Sequence, residues 1–152
     1  MYFGISEQRG DDNQINAKKL AFRYAIFIHS MKNNDSPGTP LPNTGRGEIP
    51  GNDFVVSLGV PGAGIRDEHT TGNTKQIEST FMHELGHTLN LRHGGSDGLN
   101  CKPNYLSVMS YLFQFDNVVP SRPLDYSRST LPTLNETSLD ESNGIGASTL
   151  PY

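Results

Sequence analysis

Between residues 77 and 89 the apolar positions Ile77, Phe81, Leu85 and Leu89 recur every fourth residue, with Met82 beside them. That spacing predicts an amphipathic helix. Asn73 followed three residues later by Gln76 is a capping pair, so the helix is expected over about 73–90. Asn90 is the expected breaker, since Asn takes the left-handed conformation more readily than other non-glycine residues. Gly94 and Gly95 follow. The remaining elements are shorter. Residues 14–22 form a weak helix candidate. Phe22–Ile28 is a continuous apolar run that reads as a buried strand, and Asp53–Leu58 is the clearest strand. Residues 30–52, rich in Pro and Gly, read as a surface loop holding one short edge strand at Gly45–Ile49, and Gly59–Gly72 reads as a second loop. After His93 the chain is expected to be irregular to about residue 130. Thr133 and Glu136, followed by Leu139 and Gly144, suggest a capped helix over about 134–143. The class is mixed α/β (α+β): a small sheet and a long helix in an upper part (1–93), and an irregular lower part (94–152) with a terminal helix, together one domain.

Composition narrows the partners. A formal charge of −4 without a basic cluster argues against nucleic acid. No segment approaches the roughly 20 apolar residues of a membrane span. The chain is taken as a monomer. With 16 glycines and 10 prolines, it has the makings of long structured loops.

The predicted helix carries the chemistry. Residues 83–93 read HELGHTLNLRH. His83 and His87 are four apart, about 40° from each other around a helix, so both imidazoles face one way. Two neutral imidazoles so placed can bind one Zn²⁺ at roughly 2.0–2.1 Å each. His93 lies six residues beyond His87 and needs a sharp turn to reach the same ion, which the Asn90 break supplies. Three histidines leave the fourth position of a tetrahedral zinc open, as a catalytic site requires. Such a zinc acidifies its bound water to a pKa of about 7, and Glu84, on the flank of the same face, is placed to take the proton as general base. HExxH by itself is a short pattern that arises by chance, but here the third histidine, the breaker and the apolar register agree. Leu106 and the stretch 111–116 are expected to wall the pocket.

Other residues have ordinary readings. Cys101, the only cysteine, is either a free packed thiol or paired with a cysteine outside the chain, and nothing about it resembles a propeptide cysteine. His29 and His69 have no ligand-like neighbours. Asp11, Asp12 and Asp97 lie in loops where Ca²⁺ is possible, but their spacing fits no calcium motif.

HELGHTLNLRH resembles the extended signature HExxHxxGxxH of the metzincin clan of zinc metalloproteases. Ser107–Tyr111 is similar to that clan's methionine-containing turn, with Met109 sixteen residues after His93. A tyrosine two residues after the methionine is similar to the astacin and serralysin branches. The resemblance covers about residues 77–111 and implies His83, His87 and His93 as ligands of one zinc, Glu84 as general base and Met109 as the turn methionine. It implies Tyr111 as a weak fifth ligand or oxyanion stabiliser. The clan's glycine is Asn90 here. What is implied is a secreted zinc endopeptidase binding an extended protein or peptide substrate along Gly45–Ile49. A non-catalytic zinc-binding interaction module and a zinc hydrolase of non-peptide amides or esters are the alternatives. Clan members usually place more sheet and helix before the strand assigned to Phe22–Ile28, so the chain is expected to be the catalytic core of a longer secreted precursor, with a compact family member as the alternative.

Overall fold

The computed structural model describes residues 7, 10–35, 38–59, 72–115, 118–119, 122–129, 131, 133–135, 137–138 and 142. The chain divides into two compact units, Met1–Asn90 and Leu91–Tyr152. Among the described residues the fold is a small α+β arrangement of two helices and three strands: α1 (Asp12–Ala21), β1 (Tyr24–Ile28), β2 (Gly45–Gly47), β3 (Asp53–Ser57) and α2 (Thr74–Thr88).

Helix α1 starts earlier than its apolar pattern suggests because Asp11 caps it. The Asp11 side chain accepts from the N–H groups of Asn13 and Gln14, satisfying two otherwise unpaired donors. Phe22 and Arg23 are spent on leaving the helix, so β1 begins at Tyr24 rather than Phe22. Arg23 uses that position well: its guanidinium donates to the terminal carbonyls of α1 at Lys19 and Leu20, and its Nε donates to Thr88 Oγ1 at the end of α2.

The sheet has the order β1-β3-β2, with β1 parallel and β2 antiparallel to β3. The β2–β3 connection is closed by Glu48, whose carboxylate accepts from Asn52 and Asp53 N–H groups around a cis Ile49–Pro50 bond. The expected edge strand is therefore real but ends at Gly47. The rest of Gly45–Ile49 belongs to the turn.

Central strand β3 supplies the core. Phe54, Val56 and Leu58 are buried, and Ala25 of β1 and Ile77, Phe81 and Leu85 of α2 pack against them. Phe81 sits edge-on to Phe54 with ring centroids 5.1 Å apart and is stacked on Phe27 at 6.0 Å. The fourth member of the predicted stripe is corrected: Leu89 is 51 % exposed. It is the C-cap of α2, with φ −88° and ψ 12°, so the helical period no longer directs it at the sheet. A second correction concerns β1. It is the outer strand in the described sheet rather than a buried one, and Phe27 and Ile28 are exposed. An apolar run marks a strand but does not say whether neighbours cover both its faces.

In the second unit the expected helix over 134–143 does not begin where predicted. Leu134 and Asn135 are not helical. Asn135 folds its side chain onto its own backbone, accepting from Thr137 N–H, while Ser138 N–H donates to the Asn135 carbonyl. An Asn side chain that closes a local turn competes with helix initiation. Glu136, 139–141 and 143 lie outside the described residues.

Candidate metal centre

Helix α2 is set in register by its capping box: Asn73 Oδ1 accepts from Gln76 N–H, and Gln76 Oε1 accepts from Asn73 N–H. Three turns later His83 and His87 follow one another along one face, both buried, with ring centroids 4.8 Å apart and planes nearly perpendicular. The helix ends by Leu89 N–H bonding the carbonyls of Leu85 and Gly86, and Asn90 adopts φ 71°. The left-handed position predicted for Asn90 is thus observed. Asn90→Gly is expected to leave stability unchanged or slightly raised, whereas the β-branched Asn90→Val should lower it by about 1–2 kcal/mol. Thermal unfolding of the two variants checks this.

Beyond Asn90 the chain doubles back. Arg92 and Gly95 exchange both backbone hydrogen bonds, leaving His93 and Gly94 as a two-residue turn. A Cβ at Gly94 would overlap the Asp97 carboxylate and the Leu99 carbonyl, so the turn closes on a residue without a side chain. Asp97 holds the next segment: its carboxylate accepts from Leu99 N–H and from Lys102 Nζ at 2.6 Å, and Lys102 also donates to the Gly94 carbonyl. Those hydrogen bonds hold the Asp97 carboxyl below the ordinary carboxylate range.

The outcome is a cluster in which one ring nitrogen from each of His83, His87 and His93 lies within 4.8 Å of the others. It is the one group of three or more His, Cys, Asp or Glu side chains so placed among the described residues. A tetrahedral ion with bonds near 2.1 Å needs nitrogens about 3.4 Å apart. Three imidazoles are a donor set suited to zinc. The three residues could together hold a metal ion.

Glu84 lies between the two helical histidines in sequence and is 4 % exposed. Burial pushes its carboxyl up to about 8, against the opposing effect of a hydrogen bond from the Gly47 backbone. A carboxyl held near neutrality is suited to moving a proton in both directions.

The second unit places the remaining predicted residues. Ser107–Ser110 is a tight turn, with Ser110 N–H bonded to the Ser107 carbonyl and Met109 N–H to the Ser107 hydroxyl. Met109 is fully buried. Tyr111 is half exposed, its ring centroid 4.4 Å from that of His93. Of the expected wall, Leu106 and Leu112 are half-buried and Phe113 and Gln114 buried, and Asp116 lies outside the described residues.

Sequence reasoning missed two supports. Asn100 Oδ1 accepts from the N–H groups of both Cys101 and Tyr111, fixing the backbone at the tyrosine. Gly45 and Gly47 lie against Glu84. The second had a signal, because glycines inside a strand mark a close backbone approach. Cys101 is corrected: its thiol is exposed, not packed, on a residue with φ 59°. Of the aspartates considered for calcium, Asp11 caps α1 and Asp97 pairs with Lys102. His29 is exposed at the end of β1, and His69 lies outside the described residues.

Comparison with known proteins finds no match among family models, curated proteins or solved structures.

Proposed function

We propose that this chain is a zinc-dependent endopeptidase of the metzincin type. The observation that carries the reading is a buried carboxyl, Glu84, on the same helical turn as two of three clustered imidazoles. His83, His87 and His93 would hold the ion. When bound, zinc polarises the scissile carbonyl and acidifies water at the open position. Glu84 takes the proton from the attacking water at its carboxyl and passes it to the departing amine. Tyr111, whose ring lies beside that of His93, would stabilise the oxyanion that develops on the carbonyl by donating a hydrogen bond from its hydroxyl. Secretion belongs to the same reading.

Substrate binds as an added strand on β2, whose outer edge pairs with no described strand. A peptidic inhibitor in a crystal structure should therefore show main-chain hydrogen bonds to Gly45–Gly47. An inhibitor bound without them would remove β2 from substrate recognition. The function itself is tested by metal content together with casein cleavage, wild type against Glu84→Ala. Stoichiometric zinc with cleavage only in the wild type is expected. Zinc without cleavage in either protein would favour a binding module, and cleavage of small esters or amides alone would favour a non-peptide hydrolase.

A further inference from the structure

The register of β2 against β3 places Gly45 opposite Val56 and Gly47 opposite Phe54. Cross-strand partners share a face of the sheet, and Phe54 and Val56 are the residues that pack toward α2. Both glycines therefore face the helix, while Arg46 between them is exposed. A Cβ built on Gly45 would lie 2.5 Å from Glu84 Oε1, 2.6 Å from its Cγ and 2.7 Å from its Cδ. One built on Gly47 would lie 2.8 Å from the Glu84 carbonyl oxygen and 3.1 Å from His87 Cβ. Neither set of contacts is open to a side chain without movement of the helix or of the carboxyl. Gly47 also donates its backbone N–H to the Glu84 carboxyl.

We propose that Gly45 and Gly47 are positioning residues for Glu84: the Gly-Arg-Gly strand forms a slot in which the carboxyl lies, with Gly45 as its wall and Gly47 as its hydrogen-bond donor. Two features make this more than close packing. The three atoms nearest to a Cβ at Gly45 all belong to the Glu84 side chain, from Cγ outward, so the closest contact restricts the carboxyl rather than the helix backbone. The two closest contacts at Gly47 are to the Glu84 carbonyl oxygen and His87 Cβ, with Glu84 Oε2 third at 3.3 Å, so this glycine chiefly sets the distance between strand and helix. The two glycines thus divide the work, one fixing the rotamer of the carboxyl and the other the approach of the element that carries it. A misplacement of about 1 Å at a reacting group can lower a rate about a hundred-fold, and a side chain with three rotatable bonds needs such confinement.

The inference rests on the endopeptidase reading for its catalytic consequence, but its structural half is testable without any activity. Thermal unfolding is measured for Gly45→Ala and Gly47→Ala, each in the wild-type and Glu84→Ala backgrounds. Gly45→Ala should lower the melting temperature by about 5 °C or more in the wild type, or prevent folding. It should be neutral with Ala at position 84, where Cγ, Cδ and Oε1 are gone. Gly47→Ala should destabilise both backgrounds, because its two closest clashes, with the Glu84 carbonyl and His87 Cβ, survive that truncation. In the full chain with zinc, Gly45→Ala should lower kcat about a hundred-fold while zinc content and KM stay within about two-fold, and Leu20→Ala, at an exposed position of α1, should leave kcat unchanged. Equal destabilisation by Gly45→Ala in the two backgrounds, or an undiminished kcat, would overturn the proposal. Absence of peptidase activity in the wild type would instead sink the functional reading, leaving the stability comparison to decide on the slot.

Discussion

His87→Ala is expected to abolish stoichiometric zinc binding and, with it, peptide cleavage. The imidazole is a buried member of the three-histidine cluster, one helical turn from His83. Loss of a group that merely orients a ligand typically weakens metal affinity 10–100-fold, so removal of a ligand should exceed that. Elemental analysis after dialysis reads the metal, and a chelator should reproduce the loss of activity in the wild type. His29→Ala is the comparator, since His29 is exposed at the end of β1 and outside the cluster. It should retain zinc. Full cleavage by zinc-free protein would remove the metal from the mechanism.

Glu84→Gln should separate catalysis from stability. The amide is nearly the same shape and can still accept from Gly47, so zinc and fold should persist while the rate falls by at least the roughly 10²–10⁴ that general acid–base work contributes. The metal-free protein should respond in the opposite direction. Burial raises the Glu84 carboxyl from 4.5 to about 8 in the folded chain, so between those pH values the folded state holds a proton that the unfolded state has released. Stability from this group is complete below about pH 4.5 and is lost as pH rises through about 8. At roughly 1.4 kcal/mol per pKa unit the difference is on the order of a few kcal/mol. Chelated Glu84→Gln should therefore melt above chelated wild type at pH 9 and close to it at pH 4. A bound cation opposes the effect by favouring the ionised carboxylate, so the gap should narrow when zinc is restored. Identical melting curves for the two metal-free proteins at pH 9 would show that Glu84 is not buried as a destabilising charge.

The site's helix was legible because everything that defines it is local. The cap at Asn73, the stripe Ile77–Phe81–Leu85, the four-residue step from His83 to His87 and the left-handed break at Asn90 all arise within one or two turns of the chain. Backbone geometry converts such spacings directly into positions. Where a helix departed from its prediction, a local feature of another kind had intervened. Asp11 moved the start of α1, the C-cap turned Leu89 outward, and the Asn135 side chain closed a turn where the helix was expected to start.

The return of His93 was legible only as a need for a turn. Its closure depends on Gly94 lying against Asp97 and Leu99, with Lys102 drawn in to hold them, and no periodicity encodes that meeting. The same is true of the strands. An apolar run identifies β1, but its place at the margin of the described sheet follows from pairing with β3, nearly thirty residues away. Gly45 and Gly47 looked like features of a weak strand inside a loop. Pairing with Phe54 and Val56 turned them toward α2, and the approach of the helix made their missing side chains a requirement for Glu84. The placing of His83, Glu84 and His87 on one helix is written in its spacing. What surrounds those side chains comes from segments far apart in the chain, because only packing decides which surfaces meet.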